Sequence, residues 1–474
     1  MEDSRKTPSP WDTAPGPSAY QGRSVTIMGL GLFGGGVAAA RYFATRGARV
    51  TVTDIKTADE LAPSVAALAD LSITYRLGGH VDADFTGADI VCVSPAVKRD
   101  SPYLALAERA DAEITSEMNL FASACQAPVV GITGSNGKST TTTLVCETLK
   151  AHQAARIGGN IGKSLLGELD AIRPDETIVL ELSSFQLEDL GRIRWSPRAA
   201  IVTCISENHV DHHGSMAAYI DAKKNILRYQ KSDGLAVLNA DDAEVRSWRA
   251  DAPGRVVWYS MAGPVDEGAY AAGQDLVFRL DGREERVSLA GRNPLLGRHN
   301  VANILAAATA ARVYGVPVET IAATVGAFKP LAHRLEPVGR LGGVLFVNDS
   351  KATTPVAAQA GIDSFTEPVV LIAGGYDKQA NPAPMIEAIR RRARAVVLVG
   401  QTAGQLAAAI GPGGPAVEQA ETFEQAVRRA AALAQPGDVV LLSPGHASWG
   451  MFTHYEFRGA AFRDVGLALG MTPL

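Results

Sequence analysis

Short apolar runs rich in β-branched residues recur along the chain, each closed by glycine or a polar turn and most of them followed by an alanine-rich stretch. That alternation predicts strands joined by helices, and therefore parallel sheets with right-handed crossovers. In the first third, residues 24–28 (SVTIM) predict a strand, followed by a glycine turn and a helix to about Thr45, with further strands at Arg49–Thr53 and Asp89–Val93. A fresh strand at Pro128–Thr133 and a helix through Lys150 open a second unit, with strands expected at Thr177–Leu182, Ala199–Ile205 and Leu235–Leu238. The glycine-rich and polar stretch 251–296 carries the short alternating pieces VVWYS, DLVFRL and ERVSLA, which predict antiparallel strands. Helices are expected at Asn300–Tyr314 and Val318–Gly326.

The third unit begins near Lys329-Pro330, with strands at Val344–Asn348, Val369–Ala373, Ala395–Val399 and Val439–Leu442 and a helix at Glu421–Leu433. The closing MFTHYEFRGAAF predicts a helix that turns Phe452, Tyr455 and Phe462 inward. The expected division is a tail over 1–21 and domains over 22–126, 127–328 and 329–474. Length agrees, since 474 residues at about 150 per domain give roughly three.

Composition narrows the class. With 46% hydrophobic and 20% charged residues the chain is too apolar for disorder and too charged for a membrane-embedded protein. No apolar run reaches the ~18 residues of a membrane span, and the first residues lack the apolar core of a signal peptide. A formal charge of −5 without a basic domain argues against nucleic acid as the partner. Four cysteines without CxxC spacing read as free thiols in a reducing compartment, which gives a cytoplasmic expectation.

Glycine changes the picture most, because its 47 residues cluster just after strands. Gly29-x-Gly31-x-x-Gly34 opens a helix, and Asp54 ends the next strand. This meets the dinucleotide fingerprint, in which glycines let a pyrophosphate approach a helix N-terminus and an acid takes the ribose. Taken alone the loop admits NAD(P) or FAD, another diphosphate such as a UDP-sugar, or a packing role.

In the second unit Gly134-Ser135-Asn136-Gly137-Lys138-Ser139-Thr140 lies between strand and helix. Backbone N–H groups there can wrap the phosphates of ATP, with Lys138 as a point charge and a hydroxyl of Ser139 or Thr140 on magnesium. The strict pattern wants glycine where this chain has Ile132. Glu181 ends the apolar run IVLELSS, where a carboxylate is either charge-paired or at an edge facing water. The segment Ser206–His213 holds three histidines, and the His209/His213 spacing suits one helix face. Gly214 interrupts that helix, so a magnesium- or phosphate-linked His209 fits better than zinc. Three loops of the last unit, 349–353, 374–378 and 443–449, fall at strand C-termini, the edge where open α/β sheets bind ligands.

Together GLGLFG, TGSNGKSTTT, GGNIG, LELSSFQLE, HN-VAN with AHRLE, and NDSKAT followed by LLSP make the chain, over about residues 22–470, resemble the Mur ligases. LSSFQLE and NDSKAT point to the glutamate-adding branch. The resemblance implies an α/β fold of three consecutive domains: N-terminal Rossmann-like, central P-loop ATPase-like and C-terminal Rossmann-like. It implies ATP-dependent ligation of D-glutamate to UDP-N-acetylmuramoyl-L-alanine through an acyl phosphate, with ATP and Mg2+. Nothing in the sequence requires more than one chain, so a monomer is expected. By resemblance, Gly31, Leu32, Phe33, Asp54 and Ser94 serve the UDP end. Gly134 through Thr140, Asn300, Asn303, Arg334 and Asp349 serve ATP, and Asn160 the muramoyl-alanine. Ser139, Glu181, His209 and a carbamylated Lys223 serve magnesium, with Lys138, His209, Lys223 and Lys351 at the chemistry. Thr353, Lys378, Ser448, Trp449 and Tyr455 surround the incoming amino acid.

This chain departs from the family at Asn208 (usually Asp), Cys204 (usually Asn) and Ala96 in the SPG turn. It also departs over Gly445, His446, Trp449 and Gly450, where SPACASLD is usual, and at Tyr455, where phenylalanine is. The alternatives are a sister ligase adding L-glutamate or another amino acid, and an NAD-dependent oxidoreductase fused to an ATPase. The latter leaves GKST and NDSKAT without a role.

Overall fold

The computed structural model describes residues 18–474. The strands that sequence makes apolar throughout are buried on both faces. Ile90–Val93, Val129–Thr133, Ala199–Val202, Val369–Ala373 and Val439–Leu442 have no exposed residue and all pair in parallel. A strand covered by helices on both sides cannot tolerate polar alternation. Arg283–Ser288, an outer strand, alternates exposed and half-buried residues.

Three sheets result. The first is parallel, in the spatial order Ile73–Leu77, Arg49–Asp54, Ser24–Met28, Ile90–Val93, Glu113–Thr115. The second has nine strands, with Val129–Thr133 between Ala199–Val202 and Thr177–Glu181, and Ala155–Gly159 at the edge. The third has seven, its centre in the order Ala393–Val399, Val369–Ala373, Val439–Leu442, Val344–Asn348. The expected α/β class and three sheets are found.

Contacts group the described residues up to Ser288, together with Asn303–Thr324, into one compact unit that holds the first two sheets. Leu289–Ala302 and Val325–Leu474 form a second unit with the third sheet. No helix among the described residues is long and apolar enough to cross a membrane.

The sequence expectation is corrected in four places. Arg255–Ser260, containing VVWYS, runs parallel to both Leu235–Asn239 and Gly268–Ala272, because its residues are apolar on both faces and need cover. Only Gly268–Ala272, Asp275–Leu280 and Arg283–Ser288 form the antiparallel meander. Edge strands such as Ile73–Leu77, Glu336–Leu341 and Ala416–Ala420 were invisible to the pattern, being half exposed or alanine- and glycine-rich. Of the expected tail, residues 1–17 lie outside the described residues, while Tyr20 is buried against Tyr42 and Phe43.

Candidate active site

Parallel strands deliver their C-terminal ends to one edge, so neighbouring strands place distant residues together. At the end of Val129–Thr133 the chain passes through Gly134 (φ 145°) and Gly137 (φ 83°) into the helix Lys138–Lys150. A Cβ at Gly134 would strike Thr203 Oγ1, and one at Gly137 would strike Asn303 Oδ1. Ile132, by contrast, lies inside the strand and is fully buried, so the missing glycine of the strict pattern is a core position rather than part of the cradle.

The loop is pinned from the adjacent strand's end. Ser135 N–H donates to Cys204 O at 2.7 Å, Thr203 Oγ1 donates to Asn136 O at 2.5 Å, and Ser135 Oγ lies 2.9 Å from Tyr219 OH. Lys138 Nζ donates to the carbonyls of Gly134 and Ser135, each at 2.9 Å. The helix N-terminus and the loop N–H groups leave an anion-binding cradle.

Glu181 is 3% exposed, which removes the reading of an edge residue facing water. One carboxylate oxygen accepts from Ser139 Oγ at 2.5 Å and the other from Asn160 Nδ2 at 2.9 Å. Three segments thus meet: the phosphate loop, the Thr177–Glu181 strand and the turn after Ala155–Gly159. Thr140 is buried beside Ser139 on the same helix.

Lys223 departs most from what its local sequence alone suggests. A lysine in a helix reads as surface, yet this one is 1% exposed on Met216–Arg228. Its Nζ donates to Gly134 O at 2.9 Å and Thr133 Oγ1 at 3.2 Å, and lies 4.8 Å from the Tyr219 ring. Burial, and then the nearby Lys138 cation, hold its pKa well below the ordinary lysine value.

His209 takes φ 53° at the start of the turn Val210–His213, with its ring 5.0 Å from Phe185 and 6.5 Å from Tyr219. His213 turns elsewhere, to Ser184 Oγ at 3.0 Å. The hydroxyl of Ser139 and carboxylate of Glu181 are hard oxygen donors of the kind magnesium selects, so these two fit that ion.

In the first sheet Gly29, Gly31 and Gly34 all have positive φ, and a Cβ on Gly29 would come within 2.8 Å of Ser94 Cβ. Asp54 accepts from Gly31 N–H at 3.1 Å and Lys56 N–H at 2.9 Å, bracing the loop. Leu32 and Phe33 stand out from it, Phe33 83% exposed, as an apolar platform.

In the third sheet the strands Val369–Ala373, Val439–Leu442 and Val344–Asn348 are adjacent, which brings their loops together. Asp349 N–H donates to Leu442 O at 2.8 Å, Gly445 N–H to Ala352 O at 2.9 Å, and Gly374 N–H to Pro444 O at 2.9 Å. Asp349 is buried and accepts from Ser443 Oγ at 2.7 Å and Leu335 N–H at 3.2 Å; burial pushes its pKa up to about 7. Lys351 Nζ sits 3.8 Å from the Tyr455 ring, and Lys378 Nζ 4.4 Å from the Trp449 ring. Ser448, next to Trp449 in the chain, is buried, and Thr353 is half-buried after Lys351. Asn300 and Asn303 share the helix Arg298–Val313; Asn300 Nδ2 donates to Leu296 O at 2.7 Å, and Asn303 Oδ1 accepts from Thr141 Oγ1 at 3.4 Å. Arg334 follows the turn at 332–333, its N–H donating to Leu331 O at 3.1 Å.

Three family descriptions match the chain: Mur ligase MurD-like N-terminal domain over residues 23–116, Mur ligase middle domain over 132–311, and Mur ligase glutamate ligase domain over 333–446. A UDP-N-acetylmuramoylalanine--D-glutamate ligase of Roseiflexus sp. (strain RS-1) is 43% identical over 458 residues, 94% of this chain and 98% of the relative. The chain belongs to the Mur ligase family. A relative of the same name from Chromobacterium violaceum is 42% identical over 467 residues, 95% of this chain and 98% of its own. Among solved structures, the UDP-N-acetylmuramate-alanine ligase MurC of Thermotoga maritima superposes with a TM-score of 0.60 at 18% identity, over 94% of this chain and 99% of that one.

Three of the departures in this Mur ligase have defined surroundings. Gly445 (φ 69°) faces Met385, whose sulfur a Cβ would strike. Cys204 Sγ lies 3.7 Å from Asn136 O, against the phosphate loop. Trp449 makes the aromatic pair with Tyr376 at 5.5 Å that flanks Lys378. Sequence reasoning missed Tyr219 and Arg458. Arg458, fully buried, donates from Nε to Ser350 Oγ at 3.0 Å, from Nη2 to Ser350 O at 2.9 Å and from Nη1 to His446 O at 3.1 Å, tying two loops together. Its sequence signal is an arginine four residues before buried Phe462, on the same helix face.

Proposed function

We propose that this chain joins D-glutamate to UDP-N-acetylmuramoyl-L-alanine with hydrolysis of ATP to ADP and phosphate, a cytoplasmic step in building peptidoglycan precursors, carried out by a monomer. The observation that carries the reading is the assembly of Lys138, Ser139, Glu181 and Lys223 around one phosphate loop, in a chain about 40% identical to relatives bearing that name.

In this reading Lys138 and the loop N–H groups hold the triphosphate while the alanine carboxylate attacks the γ-phosphorus. The products are an acyl phosphate and ADP. Asn160 orients the muramoyl-alanine. The glutamate amine, deprotonated, then attacks the acyl carbon, and the tetrahedral intermediate collapses to an amide and phosphate; His209 is the candidate base. Lys351, Thr353, Lys378 and Ser448 hold the glutamate, with Trp449 and Tyr455 beside the two lysines.

Arg334, Asp349, Asn300 and Asn303 serve the nucleoside of ATP. Gly31, Leu32, Phe33, Asp54 and Ser94 serve the UDP end. Magnesium, held by Ser139, Glu181 and His209, would neutralise charge on the phosphoryl oxygens.

Lys223 takes a carbamate: its neutral amine adds to the carbon of CO2 and releases one proton. The product is an oxygen donor, and its negative charge turns repulsion from Lys138 into attraction. The depressed basicity of the buried amine supports this step.

Phosphate release from ATP, Mg2+ and UDP-N-acetylmuramoyl-L-alanine, with D-glutamate, L-glutamate and other amino acids compared, tests the reading. Release only with D-glutamate is expected. Release with another amino acid instead would move the chain to a sister ligase, and none with any would overturn ligation.

A further inference from the structure

Outside the ATP site, one cluster of ligating side chains has no role in this reaction. Glu188, His212 and His213 each present one donor atom, and the three atoms lie within 4.8 Å of one another. They border a cavity of about 450 Å3 that is also lined by Lys98, Arg99 and Asp221.

Their geometry is built by the fold. Ser184 and Glu188 are four apart on the helix Ser184–Arg192, and so share a face. The turn Val210–His213 is stopped by Gly214 (φ 76°) opposite that helix. Phe185 fixes both rings, stacking on His213 at 5.4 Å and 13° and meeting His212 edge-on at 4.3 Å. The His213 side chain is 3% exposed.

Two distances suit an ion shared between these groups. His213 Nδ1 stands 3.7 Å from Glu188 Oε2, too long for a hydrogen bond. Two ligands about 2.0–2.2 Å from one tetrahedral ion lie about 3.3–3.6 Å apart, close to this spacing. The other ring nitrogen, Nε2, is engaged by Ser184 Oγ at 3.0 Å. An outer hydrogen bond of this kind is what orients a metal-bound histidine.

We propose that Glu188, His212 and His213 form a second metal centre, for a borderline dication such as Zn2+, with an open coordination position toward the cavity. Two imidazoles and one carboxylate select zinc, cobalt or nickel over magnesium. The set shares no residue with Ser139, Glu181, His209 or Lys223, so it is independent of the reading above. A bound ion would tie the turn that begins at His209 to the helix Ser184–Arg192.

The test is Co2+ titration of the full-length, chelator-treated protein with excess Mg2+ present. One equivalent should bind and give visible ligand-field bands without thiolate charge transfer. His212→Gln and Glu188→Gln should each weaken binding by about tenfold or more, while Glu181→Gln leaves the bands unchanged. Zn2+ should also protect His212 of the unmutated protein from diethyl pyrocarbonate, as mapped by peptide mass, which needs no variant to fold. Absence of the bands, a spectrum dominated by thiolate charge transfer, equal affinity in His212→Gln, or no protection would each overturn the site.

Discussion

Lys138 and Lys223 donate to the same carbonyl oxygen, that of Gly134, each at 2.9 Å. Two ammonium groups on one acceptor repel, and burial, then the Lys138 cation, lower the pKa of Lys223 well below the ordinary lysine value. The carbamate proposed on Lys223 would replace that repulsion with an attraction to Lys138.

Lys138→Ala is expected to abolish product formation, measured as phosphate release, because Lys138 is the sole cation within the loop 134–140. Turnover near that of the unmutated enzyme would remove Lys138 from the ATP site.

Lys223→Ala should cost most of the activity and be partly restored by a short carboxylate in solution, which supplies the lost oxygens. Depleting bicarbonate should lower the activity of the unmutated enzyme alone. Indifference to both treatments would exclude carbamylation.

Glu181→Gln keeps the shape but removes the charge that Ser139 and Asn160 surround. The apparent affinity for Mg2+ should fall by about 10–100-fold, read from rate against Mg2+ at fixed ATP. An unchanged Mg2+ dependence would move the metal elsewhere.

Trp449→Leu removes the ring on which Lys378 rests. A cation–π contact at a half-exposed site contributes about 1 kcal/mol, so KM for glutamate should rise about fivefold with kcat little changed. A loss in kcat alone would contradict a role in holding Lys378.

Asp349 gives a pH dependence of stability. Its carboxyl is held near pKa 7, above the ordinary 3.8. Through that window the native chain keeps a proton that the unfolded chain has released, so stability falls as pH rises from about 4 to 7. Denaturant unfolding of Asp349→Asn should show a shallower slope there, and an equal slope would locate the titration in another group.

Much of the fold was legible because buried parallel strands need uninterrupted apolar runs, and Val129–Thr133 or Val439–Leu442 can hardly be anything else. The glycines of the phosphate loop were legible for a related reason: positive φ and close approach leave few substitutes. Lys223 was named only through the family resemblance, not through spacing or periodicity, and the apolar run before Glu181 allowed two readings of that acid. An acid ending an apolar strand and a lysine in a helix both have ordinary surface readings, and only the partners reject them.

Local sequence alone determined which strands are interior, where the chain turns on glycine, and that loops at 134–140, 349–353 and 443–449 sit at strand ends. Tertiary structure decided which strand ends are neighbours. Strand order sets Glu181 against Ser139, and the packing of Met216–Arg228 buries Lys223 against Gly134. The same packing gathered His212 and His213 with Glu188 and left His209 to Phe185 and Tyr219. The physical reason is distance along the chain: propensity and periodicity act over a few residues, whereas Ser139 and Glu181, 42 apart, meet only through the pairing of their strands.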